Sequence, residues 1–177
     1  SLKDQWSIAE ESAAEHGKTI HREDWRLSVG CHLAETREEA FEDIRVGGAR
    51  VVTEYMGATN GHPIPDVPPE KIVDYMVENN QWIVGTPDDC IERINQLQEA
   101  SGGFGALLLR AEDWAPREKL HRSYELMARY VMPQFQGSLT GIVDSNKRSS
   151  EMKDELQINR RAGLQRATDT YVENQNR

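Results

Sequence analysis

Cysteine is scarce in this chain, with Cys31 and Cys90 the two among 177 residues. Two thiols so far apart give neither a disulfide framework nor a CxxC metal or redox motif. They read as buried free thiols of a cytoplasmic protein. Long apolar runs are lacking too. No stretch approaches the ~18 residues of a membrane span, and no charged start with an apolar centre marks a signal peptide. Positive charge is the scarcer sign, with 21 Lys and Arg against 30 Asp and Glu. The resulting net charge of −9 argues against non-specific nucleic-acid binding. His62 stands in a loop without ligand neighbours at metal spacing, so no metal site is expected.

What remains is a chain of 37% apolar and 29% charged residues, long enough for one domain with its own core. The charge is uneven. Residues 147–177 carry seven basic and five acidic residues, a net of +2, which leaves −11 on residues 1–146. The chain begins at Ser1 without a methionine and enters a helical pattern at once, as a piece of a longer protein would.

Leu2, Trp6, Ala9 and Ala13 share one helix face, and that helix stops at Gly17. Residues 25–33 (WRLSVGCHL) read as a strand. Thr36 then opens a helix as a capping box, its hydroxyl accepting a backbone N–H and Glu39 reaching back. Ala40, Phe41, Ile44, Val51, Val52 and Tyr55 extend the apolar face, with a kink or break expected at Gly47-Gly48. Residues 57–69 (GATNGHPIPDVPP) form a Gly- and Pro-rich loop, a candidate lid. A short helix from Pro69 to about Val77 precedes a brief strand at 81–85.

Thr86-Pro87-Asp88-Asp89 repeats the helix-start logic, with Cys90, Ile91, Ile94 and Leu97 packing inward. A helix N-terminus can hold phosphate, but the two aspartates already occupy this one, so capping is the preferred reading. Gly102-Gly103 ends the helix. Residues 104–109 form an apolar strand suited to a parallel sheet covered on both faces. Leu120, Tyr124, Met127 and Val131 mark a further helix, ended by Pro133. Residues 138–149 read as a linker, and residues 150–177 as a peripheral helical tail, a partner-contacting arm or a partly disordered one. Three strands separated by helices give an α/β protein with a parallel sheet. Its open edges make a weak basis for a monomer, so a homo-oligomer is expected.

The segments WRLSVGCHLAETREEA, IVGTPDD, GGFGALLLRAEDW and RSYELMARYVMPQFQG, in this order over residues 25–137, together resemble the C-terminal part of bacterial-luciferase-like, flavin-dependent monooxygenases. The nearest branch is the limonene-monooxygenase-like or alkanal-monooxygenase-like group. The resemblance implies a (β/α)8 barrel, with residues 1–137 supplying about its last three βα units and residues 104–109 its eighth strand. It implies FMN, reduced by a separate flavin reductase, and O2 as the means of oxygenating a small hydrophobic organic substrate. Most FMN contacts would come from the preceding units, so this chain alone is expected to be inactive and to bind no cofactor tightly.

In such barrels function gathers at the C-terminal ends of the strands. His32 is placed there, as a base or hydrogen-bond donor or else as a structural histidine. The wider family's functional histidine on this strand aligns with Gly30, so no catalytic role carries over to His32. Arg110, Glu112, Asp113 and Trp114 could shape the substrate side of the pocket, or form a solvated turn with Trp114 covering the last helix. Two other classes stay open. One is a non-catalytic relative acting as a dimerising scaffold, and the other an unrelated α/β binding module.

Overall fold

The computed structural model describes residues 2–110, 112–137 and 140–175. It opens with α1 (Leu2–Glu15), a 3-10 turn (Arg22–Asp24), β1 (Arg26–Leu33) and α2 (Arg37–Arg50), which runs on as a π-helix through Thr59. A 3-10 turn (Pro69–Lys71) leads into α3 (Ile72–Glu78), then β2 (Trp82–Gly85), α4 (Pro87–Ser101) and β3 (Ala106–Arg110). After α5 (Arg117–Leu126) comes a π-helical stretch (Met127–Val131), then α6 (Met132–Phe135), α7 (Thr140–Glu151) and α8 (Lys153–Gln175). The chain divides into two compact units after Met132, five residues before the boundary expected at Gly137.

The three strands are parallel and ordered β2-β1-β3. Alternation along the strands separates two cores. On one face Trp82 and Val84 meet Ile44, Val52, Val73 and Met76 from α2, its π extension and α3. On the other, Val29, Cys31, Leu33 and Ile83 meet Cys90, Ile94, Leu126 and Val131. The expected mixed α/β architecture with a parallel sheet is therefore present. Two details differ from an arc of a barrel, where successive strands are neighbours and helices lie only outside. Here β1 lies in the middle, and helices cover both faces. Three strands cannot close on themselves, so each face of the sheet needs its own cover.

Helix starts follow the local chemistry unequally. Thr86 Oγ1 accepts from Asp89 N at 3.2 Å and Asp89 Oδ2 accepts from Thr86 N at 2.9 Å, a complete reciprocal box with Pro87 in the first turn. At α2 only half of the expected box forms. Thr36 Oγ1 accepts from Glu39 N at 3.1 Å, while the Glu39 carboxylate turns to Lys119 instead of reaching back.

Gly47-Gly48 does not break α2, which runs on to Arg50. A Cβ on Gly47 would lie 2.0 Å from the Trp114 carbonyl oxygen, so the glycine lets the helix cross that backbone at close range. The stop expected at Pro133 is also absent. The helical run instead continues through the π-helical stretch into α6 and ends at Phe135, two residues past the proline. The expected linker is helical from Thr140 onward, and its first two residues lie outside the described ones. Helix α8 follows almost directly, the Met152 N–H bonding the Arg148 carbonyl and the Leu156 N–H that of Met152.

On α1 only Trp6 of the expected apolar face is buried. Its indole lies 5.2 Å from that of Trp25, and the Arg22 guanidinium lies 4.7 Å from the Trp6 ring. The same guanidinium donates to the Ser101 and Gly103 carbonyls. One side chain thus fastens α1 and the approach to β1 onto the C-terminus of α4. Arg22→Ala is expected to lower unfolding stability by about 1–2 kcal/mol, with Arg22→Lys recovering only part because an ammonium lacks the fork. Urea unfolding of both variants checks this, and an unchanged midpoint in Arg22→Ala would leave the clamp without energetic weight.

Candidate functional site

The C-terminal ends of the strands bring together Gly30–Leu33, Val84–Gly85 and Arg110, with Arg110 opposite Gly30 in the β1–β3 register. His32 is fully buried here. Its Nε2 lies 3.3 Å from Asp43 Oδ2, and its Nδ1 has no hydrogen-bond partner. Asp43 Oδ1 is 3.2 Å from Lys119 Nζ, which also pairs with Glu39. The sequence carried a sign of this cluster that the motif reading passed over. Glu39 and Asp43 lie four residues apart on one helix face, and two like charges so placed call for a cation between them.

Burial pushes the His32 pKa below the ordinary histidine value, with the Asp43 hydrogen bond opposing it. The ring is thus neutral, with Nε2–H directed to Asp43 and a free lone pair on Nδ1. That is the electronic arrangement of a base, but the nitrogen is sealed in. Since the unfolded chain takes up the proton first, this contribution to stability is complete above about pH 6.5. It is lost as pH falls through that value towards the depressed folded one. Urea midpoints at pH 7.5 and 5.5 should differ more in the wild type than in His32→Gln, and equal differences would remove His32 from the pH response.

Trp114 is 3% exposed and stands edge-on to His32 (centroids 6.4 Å apart) and to Trp82 (4.7 Å). It belongs to the core between β2 and α2, not to an open pocket wall. Arg110 Nε lies 2.9 Å from Glu112 Oε1, and Asp113 points to solvent. The two acids therefore diverge. Cys31 and Cys90 are buried and free, and the Cys90 thiol together with burial pushes the Cys31 thiol well above its ordinary pKa, which makes it inert. Among the described residues no group of three or more His, Cys, Asp or Glu is placed to hold a metal, and no helix is long and apolar enough to cross a membrane.

The candidate lid lies at the other end of the sheet. It lines a cavity of about 360 Å³ with Met56, Tyr75 and Gln81, the last being the residue before β2. Ile64 covers Gly57, and the His62 N–H bonds the Met56 carbonyl, so the loop is folded back on its own helix.

No family model matches the chain. It is 43% identical over 145 residues to 4-hydroxyprotoasukamycin monooxygenase from Streptomyces nodosus subsp. asukaensis, and 40% identical over 139 residues to limonene 1,2-monooxygenase from Rhodococcus erythropolis. These alignments cover 81% and 78% of this chain but 39% and 35% of the relatives. The chain thus spans well under half the length of the curated relatives it matches. Among solved structures, the oxygenating constituent of 3,6-diketocamphane monooxygenase from Pseudomonas putida, in complex with FMN, superposes with a TM-score of 0.58 at 28% identity. It covers 75% of this chain and 39% of that one. Monooxygenase RslO1 from Streptomyces bottropensis shares the fold at TM-score 0.59 and 23% identity, covering 76% and 38%.

Among the described residues, neither helix end that follows β1 or β2 is open to a flavin phosphate. The N-terminus of α4 is closed by Asp89, whose carboxylate the neighbouring Arg37 guanidinium holds below its ordinary pKa, and which would repel a phosphate. At the N-terminus of α2 the Thr36 hydroxyl takes the Glu39 N–H. The indoles of Trp82 and Trp114 pack against each other, and no gap for a flavin ring separates them. Sequence identity and fold nevertheless agree on one ancestry: the chain belongs to the bacterial-luciferase-like flavin-dependent monooxygenases and corresponds to their C-terminal part.

Proposed function

We propose that this chain supplies the C-terminal units of a monooxygenase that oxygenates a hydrophobic organic substrate with O2 and reduced FMN, the flavin arriving from a separate reductase. The observation that carries this reading is the 43% identity to 4-hydroxyprotoasukamycin monooxygenase over 81% of the chain. In the longer protein the three strands would join a (β/α)8 barrel, with β2 moved from its present edge to lie between β1 and β3, and Arg110, Glu112 and Asp113, at the C-terminal end of β3, would border its mouth. The sealed His32 ring and the occupied helix ends support assigning flavin binding to the preceding units, with this chain inactive alone. The reading also places the protein in the cytoplasm and in a homo-oligomer.

A chimera tests it: limonene 1,2-monooxygenase with its matching C-terminal segment replaced by this chain, supplied with FMN, a flavin reductase, NADH and limonene. Oxygenated product formed only with the reductase present is the expected result. A folded, FMN-binding chimera that forms no oxygenated product would overturn the reading.

A second reading, a non-catalytic scaffold that dimerises, draws on one observation. Ile142, Val143, Met152, Leu156 and Leu164 are all exposed along α7, α8 and the residue between them. Sedimentation of the chain would show a dimer that Leu156→Glu and Leu164→Glu together dissolve, while a monomer would exclude it.

A further inference from the structure

Helix α5 does not lie along one face of the sheet. Leu120, near its start, packs against the core that holds Trp82. Leu126, at its end, belongs to the core of Cys31 and Leu33 on the opposite face. The helix therefore passes from one face to the other over the C-terminal end of β1, and polar contacts fasten it there. Ser123 Oγ accepts the buried Leu33 N–H at 2.8 Å. Arg122 Nε donates to Glu35 Oε1 at 2.6 Å. Lys119 pairs with Glu39 and, at 3.2 Å, with Asp43, whose other oxygen lies 3.3 Å from His32 Nε2. The segments LAETREEA and RSYELMARYV, far apart in sequence, meet here.

The Leu33 bond shows what α5 stands in for. Backbone N–H groups of successive strand residues point to opposite sides of the strand. The Ala34 N–H bonds the Gly85 carbonyl at the end of β2, so the Leu33 N–H points to the side of β3. Strand β3 ends at Arg110, opposite Gly30 and short of Leu33. The Ser123 hydroxyl takes the place of the strand carbonyl that is lacking.

A barrel permits none of this. Its strands follow one another in chain order, so β2 separates β1 from β3, and the register of Arg26–Gly30 with Ala106–Arg110 is lost. Neighbouring strands lie about 4.8 Å apart. Setting β3 two strands away from β1 draws α5 off Leu33 and off the first turn of α2. The C-terminal strand ends also form the mouth of a barrel, and a helix laid across β1 obstructs it. The two arrangements exclude each other, because a β1 that holds β3 and Ser123 on this side has no room there for its barrel neighbour.

We propose that α5 is a strap that holds this chain in a closed form, and that incorporation into the barrel of the longer protein releases it. Release exchanges the Lys119, Arg122 and Ser123 contacts, together with the β1–β3 ladder, for pairing of β2 with β3. The proposal rests on the barrel reading above and adds to it a two-state element, one sequence with two packings.

Carbodiimide coupling, which joins a carboxylate to an ammonium in direct contact, reads the strap. Mass spectrometry of the coupled chain should find Lys119 linked to Glu39 or Asp43. The FMN-binding chimera with limonene 1,2-monooxygenase should give at least tenfold less of that link. This readout needs no turnover, so a chimera that binds FMN but forms no product fails the functional reading and still tests the strap. Amide exchange of the chain alone is the second arm. Lys119→Gln, Arg122→Gln and Ser123→Ala together should speed exchange of Leu33 and of the β3 amides at least tenfold and leave α4 unchanged. The proposal fails if the chain alone gives no link, if the FMN-binding chimera is linked as fully as the chain, or if the triple variant leaves β3 exchange as it was.

Discussion

Gly47→Ala is expected to destabilise the chain by about 3 kcal/mol, the upper range for forcing an extra carbon into a packed site. The sign is the informative part, because alanine in place of glycine inside a helix ordinarily stabilises by about 1 kcal/mol. A Cβ on Gly47 would lie 2.0 Å from the Trp114 carbonyl oxygen and 2.5 Å from its carbon. Both are backbone atoms, so no rotamer change relieves the contact. Helix α2 would have to lift away, loosening its own Ala40 and Ile44, which are wholly buried on its inner face. Gly48→Ala makes a graded comparison. Its nearest neighbours are side-chain atoms of Trp82 and Val73 at 3.1 Å, which can give way, so a smaller loss is expected. Gly163→Ala, with nothing within 4 Å, should stabilise α8. Urea unfolding of the three variants settles the order, and a Gly47→Ala protein as stable as the wild type would show that α2 does not need this close crossing.

Trp82→Ala should cost about 3–5 kcal/mol, the range for removing a large buried aromatic. Trp82 is 1% exposed and lies under both Gly30 and Gly48, with Trp114 edge-on at 4.7 Å. Its Nε1 is buried without a hydrogen-bond partner, so a phenylalanine there gives up volume but no polar contact. Trp82→Phe is therefore expected to lose less than half as much as Trp82→Ala. Thermal and urea unfolding of both variants make the comparison. Equal losses would mean that the indole N–H, and not the packing, holds this position.

The parts of the fold legible in the sequence are those fixed by near neighbours along the chain. Thr86, Pro87 and Asp89 specify a helix start through bonds spanning three residues, and they make it. The apolar strand near residues 104–109 appears shifted by one or two positions, at Ala106–Arg110. What could not be read depended on distant partners. Gly47-Gly48 reads as a break until the Trp114 backbone crosses it. Glu39 reads as half of a capping box until Lys119, eighty positions on, draws it away. Trp114 follows a strand's C-terminal end, where barrels place their chemistry, yet the packing of Trp82 brings it inside. Strand order belongs to the same class. Nothing local to residues 26–33 says that they lie between the other two strands.

The β1 registers carry one more consequence. Arg26 to Gly30 pair with β3 and Gly30 to Leu33 pair with β2, so Gly30 is the one residue of β1 found in both. Mechanically the sheet is two short ladders laid end to end along a common rail, joined at a single rung without a side chain. Amide exchange along β1 is expected to change rate at Gly30, and one uniform rate over residues 26–33 would show that the core shared by both ladders makes them open together.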